Sequence, residues 1–102
     1  MTSCELEITA SARAAIDALP PKDRSVIMDA VRIIHALPYR EGTRLKDELA
    51  GYRRVKKGRH RIFYAVDEER SLIIILHIGF RKAGDRHDAY REFQRLFVRR
   101  RP

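Results

Sequence analysis

A chain of 102 residues with 44% hydrophobic and 35% charged content has room for one compact core and is too apolar for a disordered tail. Its 22 lysines and arginines against 14 acids leave a net charge of +8, which in so small a protein points to nucleic acid, a ribosome or an acidic protein partner. The lone cysteine, Cys4, excludes an internal disulfide, and no stretch approaches the roughly 20 apolar residues of a membrane span.

Cys4 to Thr9 alternates Leu6 and Ile8 with Glu5 and Glu7, the pattern of a first strand. Thr9 or Ser11 can cap a following helix in which Ala12, Ala15, Ile16 and Leu19 form one apolar stripe. Pro20 and Pro21 end that helix and open a second, since proline is tolerated in a first helical turn. Ile27, Ala30, Val31, Ile34 and Leu37 make the second helix's buried face, and Pro38 stops it. Residues 39–51 read as a loop with room for one helical turn. Three strands follow, Tyr52–Lys56, Arg59–Val66 and Ser71–Phe80, with turns at Lys57-Gly58 and Asp67–Arg70; they are expected to form an antiparallel meander. Asp85 can cap a last helix bearing Ala89, Tyr90, Phe93, Leu96 and Phe97 on one face. The expected fold class is α+β, one domain over 1–102, with the two early helices covering one face of the sheet. Simple alternation then puts Ile73, Ile75, His77, Gly79 and Arg81 on one face of the last strand with Arg59, Arg61 and Phe63, and leaves that face open.

Basic residues cluster. Arg53, Arg54, Lys56, Lys57, Arg59 and Arg61 fall within nine positions that contain no acid, and Arg81, Lys82 and Arg86 follow the last strand. Lys46, Arg53, Arg54, Lys56, Lys57, Arg59 and Lys82 are read as electrostatic RNA-binding positions. No metal-ligand motif and no phosphate-cradling glycine loop is present, so neither a metal nor another cofactor is expected. RNA carries its own nucleophile in the 2′-hydroxyl, so a protein can cleave it by orienting that group, accepting its proton and stabilising the phosphorane. Arginine suits the stabilising role and is a poor base because it stays charged. The proton must go elsewhere, and Tyr90 and the histidines are the candidates; surrounding cations favour a phenolate. His77 and His35 read as structural, His60 faces away from Arg61, and Cys4 is inert.

Leu45-Lys46, Leu49-Ala50-Gly51-Tyr52, Gly58 to Tyr64 and His77-Ile78-Gly79-Phe80-Arg81, in this order and spacing, resemble the RelE/ParE superfamily of bacterial and archaeal toxins. The resemblance implies the toxin half of a type II toxin–antitoxin pair, cytoplasmic, with an acidic antitoxin as partner. RelE-like members are ribosome-dependent endoribonucleases that cleave mRNA and leave a 2′,3′-cyclic phosphate. Arg61, Arg81 and Tyr90 match the family's catalytic positions, with His87 close enough in sequence to share the role of Tyr90. The family's preceding-strand lysines fall near Arg53 and Val55. Two alternatives remain: a ParE-like DNA gyrase inhibitor that cuts nothing, and a relative that has lost toxicity and only binds an antitoxin or nucleic acid.

Overall fold

The computed structural model describes residues 4–46, 49–80, 93 and 95. Its elements run β1 (Glu5–Ile8), α1 (Ala10–Asp17), α2 (Pro21–Ala36), β2 (Thr43–Arg44), β3 (Arg53–Lys57), β4 (His60–Asp67) and β5 (Leu72–Phe80). Most of the expected last helix, including His87 and Tyr90, lies outside the described residues, as do Arg81 and Lys82 before it.

Local signals account for the helices. Thr9 caps α1: its hydroxyl accepts from the Ala12 amide at 3.2 Å and donates to the Leu76 carbonyl at 2.9 Å, tying the helix start to the sheet. Pro20 precedes α2 and Pro21 is its first residue, where no amide hydrogen is needed. Arg24 closes the helical hairpin by donating from Nη2 to the carbonyls of Asp17 and Leu19, each at 3.1 Å. His35, near the end of α2, donates from Nε2 to the Cys4 carbonyl at 2.6 Å, since a carbonyl can only accept.

The five strands lie in the order β1-β5-β4-β3-β2. Strands β3, β4 and β5 form the expected antiparallel meander, β1 adds in parallel to β5, and β2 adds antiparallel to β3. Gly58, with φ +59°, takes the first place in the β3–β4 turn, where a two-residue hairpin favours glycine. The apolar stripes of both helices (Ala12, Ile16, Ile27, Ala30, Val31, Ile34) pack on Val55, Ile62, Tyr64, Ile73, Ile75 and Ile78. Both early helices therefore cover one face, as expected.

Three expectations need correction. Residues 39–51 are not all loop, because Thr43 and Arg44 pair with Arg54 and Arg53 as the short strand β2. Alternation is also broken once in β5. Phe63 pairs with His77 but Tyr64 pairs with Ile75, so Leu76 is an extra residue, a β-bulge. One inserted residue reverses the side-chain parity. Ile73 and Ile75 thus face the helices instead of sharing the face of His77 and Gly79. Nor is the far face fully open: Phe63 and Phe93, both fully buried, form a second small core there with Leu45, Leu49, Tyr52 and Leu76.

Candidate functional site

On that far face the strand register sets the cations in two rows. Arg54 faces Phe63, which faces His77; one step along, Lys56 faces Arg61, which faces Gly79. Side chains directly across an antiparallel pair have Cβ atoms about 5 Å apart, and the next pair on the same face lies about 7 Å away. Arg54, Lys56 and Arg61 therefore share one patch. Two like charges in facing positions, as at Lys56 and Arg61, destabilise a sheet by up to about 1 kcal/mol. An anion placed between them reverses the sign.

Arg61 is only 6% exposed. Its Nη1 donates to the carbonyls of Gly58 at 2.8 Å and His60 at 3.0 Å, so the β3–β4 turn holds the guanidinium in one orientation. Burial, and then the positive charge of Arg61, pushes the Arg54 guanidinium below its ordinary value. Its desolvated charge interacts more strongly with an anion than a fully hydrated one would. Lys56 is exposed and supplies a mobile charge beside these two. His77, 7% exposed, lies against the rings of Phe63 and Phe93, with centroids 6.1 and 6.4 Å away. Phe63 and Phe93 stack at 4.4 Å, and Tyr52 meets Phe93 edge-on at 5.1 Å. These rings form a buried apolar layer beneath the cations. Acids on the described sheet surface sit at its other end, Glu5 and Glu7 on β1 and Asp67 closing β4, while Glu41 borders the cation patch from the β2 side.

Apart from Lys57, which borders it, the remaining basic positions of the stretch do not join the patch. Arg53 points to the helix side. Its Nε donates to the Tyr64 hydroxyl at 3.2 Å, and its Nη2 donates to the carbonyls of Tyr39, Glu41 and Gly42 at 2.9, 3.4 and 3.3 Å. It fastens the loop after α2 to the sheet. Tyr64 completes that knot by sharing its one hydroxyl hydrogen between the carbonyls of Pro38 and Glu41, at 2.7 and 2.6 Å. Arg59 and His60 line a separate cleft with Asp23, Val26 and Phe80, and Lys57 borders both that cleft and the one lined by Arg54 and Lys56. Lys46 is exposed in the loop after β2. Residues that sequence reasoning left out are Tyr52 and Phe63; their aromatic character within a basic stretch was the available signal. No group of three or more metal-ligating side chains occurs among the described residues, and no described helix is long and apolar enough to cross a membrane.

Comparison with known proteins places this geometry. The chain is 30% identical over 77 residues to Toxin RelG of Mycobacterium tuberculosis, spanning 74% of this chain and 88% of that protein. It is a RelE/ParE superfamily toxin. The superfamily supplies the toxin halves of type II toxin–antitoxin systems, and this member is RelE-like. Among solved structures, the RelBE2 toxin–antitoxin complex of M. tuberculosis matches with a TM-score of 0.70 at 28% identity, covering 78% of this chain and 100% of the matched one. Isolated E. coli RelE toxin gives a TM-score of 0.69 at 17% identity over 90% of this chain and 96% of its own, a likeness of fold. The chromosomal ParDE system of Pseudomonas aeruginosa gives 0.63 at 19% identity over 78% and 98%, so the superfamily fold is common to both branches. No family model matches the chain.

Proposed function

We propose that this RelE-like toxin is a metal-free endoribonuclease that cleaves mRNA on the ribosome and so inhibits translation. The observation that carries the reading is the patch itself: Arg54, Lys56 and Arg61 converge on one sheet face, and Arg61 is oriented by two backbone carbonyls. A fixed guanidinium needs no reorganisation when charge develops on a scissile phosphate. In the proposed step the 2′-oxygen attacks the adjacent phosphorus and the bond to the 5′-oxygen breaks, leaving a 2′,3′-cyclic phosphate and a 5′-hydroxyl. The 2′-hydroxyl proton passes to a base, and a proton is delivered to the departing 5′-oxygen. Arg61 with Arg54 stabilises the doubly charged phosphorane, and Lys56 holds a neighbouring phosphate. The tyrosine at 90, or His87 beside it in sequence, takes the proton-transfer role, and Arg81 with Lys82 adds charge to the same phosphate.

The partners in this reading are the ribosome, mRNA and an acidic antitoxin. The relatives solved as RelBE complexes support the last of these. Mapping transcript ends after induction, alongside a gyrase supercoiling assay, tests the proposal. Cuts within translated codons that disappear in Arg61→Ala are expected. Inhibited supercoiling with intact transcripts would move the chain to the ParE-like reading.

A further inference from the structure

Strand β2 pairs only with Arg53 and Arg54, so β3 runs on past it to the hairpin turn. Lys57 stands at that corner. It borders the cleft lined by Arg54 and Lys56 and also the second cleft, on the helix side, lined by Asp23, Val26, Gly58, Arg59, His60 and Phe80. This second cleft has a volume of about 380 Å³, the size of a small-ligand site. Of the aromatic rings on the described strands, Phe63 and Tyr64 are fully buried while Phe80 is 43% exposed. His60 faces Phe80 across the β4–β5 pair, with the ring centroids 5.2 Å apart and the planes tilted by 59°. A tilted neighbour props the Phe80 ring without covering its face in a parallel stack.

Charge divides this cleft. Lys57 and Arg59 flank the turn at Gly58, and Asp23 lies opposite, in the first turn of α2. A phosphate is drawn to the turn and repelled from the helix. An aromatic face beside cations suits a nucleotide, because every base has a π-face to stack and a phosphate to pair. A second copy of a chain carrying +8 fits poorly, since it brings like charges together there. An acidic peptide answers the charge but makes no use of the path that Lys57 offers to the cation patch. We propose that this cleft is a flanking-nucleotide subsite. A single RNA strand leaving the patch turns round Lys57, sets a phosphate over Lys57 and Arg59, and stacks its base on Phe80 against His60. The Asp23 carboxylate, which only accepts, meets the N–H edge of that base. The subsite rests on RNA being the substrate, as read above, and adds a second grip on the same strand.

The test is binding of a single-stranded RNA, 2′-O-methylated so that it cannot be cut, with 2-aminopurine moved along it one position at a time. Stacking quenches that base, so one position goes dark with wild type. Phe80→Ala restores its fluorescence and weakens affinity about 5- to 150-fold, the span of one base–aromatic stack. Phe80→Tyr keeps the ring and keeps the quench. Removing the base at that position costs wild type a similar factor and costs Phe80→Ala nothing more. Lys57→Ala/Arg59→Ala reduces the magnitude of the log–log salt slope by about 0.7, one phosphate beyond those held at the patch. An RNA quenched at no position, or a Phe80→Ala that binds as tightly as wild type, overturns the subsite. Transcript-end mapping keeps the two readings apart. Wild-type cuts alongside either of those results leave the nuclease and remove the subsite. A wild type that quenches but cuts no transcript keeps the subsite and removes the nuclease. An acidic protein whose affinity falls in Phe80→Ala while RNA affinity holds assigns the cleft to that protein and overturns the proposal.

Discussion

On one face of the sheet, Val55, Ile62, Tyr64, Ile73, Ile75 and Ile78 meet two helices in a continuous apolar layer. On the other, a few rings and leucines support three cations that repel one another. The first face is arranged for burial, and its polar groups, such as the Tyr64 hydroxyl, are tied into the Arg53 knot. The second places Lys56 across from Arg61, an arrangement that costs stability until an anion arrives. Neighbours in sequence separate cleanly between these tasks. Arg53 and Arg54 carry the same group, yet one fastens a loop and the other belongs to the cation patch. A strand's two-residue period turns adjacency in sequence into opposition in space.

Substitutions can break this contrast. Arg61→Ala should lower RNA cleavage by about 10²–10³-fold, the loss typical of a preorganised charge donor, while leaving the helix-side core intact. Single-turnover cleavage together with a thermal melt checks both halves, and cleavage at the wild-type rate would detach the patch from the chemistry. Ile75→Ala should cost about 2–5 kcal/mol of stability in a urea titration, since it opens a cavity under the helices. Leu76→Ala, in the bulge on the smaller core, should cost distinctly less. Equal costs would mean that the two faces are not different in kind.

A smaller effect concerns Tyr64. Burial raises its hydroxyl above the ordinary 10.0, Glu41 adds to this, and Arg53 opposes it. The fold therefore holds the proton more tightly than the unfolded chain. The stabilisation is fully present below pH ~10 and is lost as pH rises through the folded value. Tyr64→Phe should cost about 1–3 kcal/mol at neutral pH by leaving buried partners unmatched, and should flatten the alkaline fall in stability. The smallest expected change is in salt dependence. Two phosphates neutralised on a single strand give a log–log slope of roughly −1.4, and Lys56→Ala should reduce its magnitude by about 0.7. Arg53→Ala should leave that slope alone if the guanidinium only fastens the loop.

Much of the framework was legible in the chain. The stripes of Ala12 and Ile16 and of Ile27, Ala30, Val31 and Ile34, the proline boundaries and the glycine turn at 58 each carry a local cause. The bulge was not legible, because Leu72 to Leu76 is apolar at every position and an unbroken apolar run says nothing about parity. Strand β2 was missed because two residues are too few to alternate. Of the basic stretch, alternation placed Arg59 beside Arg61, but Arg59 falls in the turn before β4 and lines another cleft. The register joins Arg54 and Lys56 to Arg61 and turns Arg53 away. The expected roles of Arg81, Lys82, His87 and Tyr90 rest on the family resemblance.

The hydrogen bond from Thr9 to the Leu76 carbonyl joins positions 67 apart in sequence. At a synthesis rate of about 5–20 residues per second, roughly 3–13 s separate the making of its two ends. During that interval the earliest strand has no neighbour, and the helices after it have no finished surface to lie on. A chain built this way assembles its framework only once β5 has been made, which gives a partner already present time to meet it.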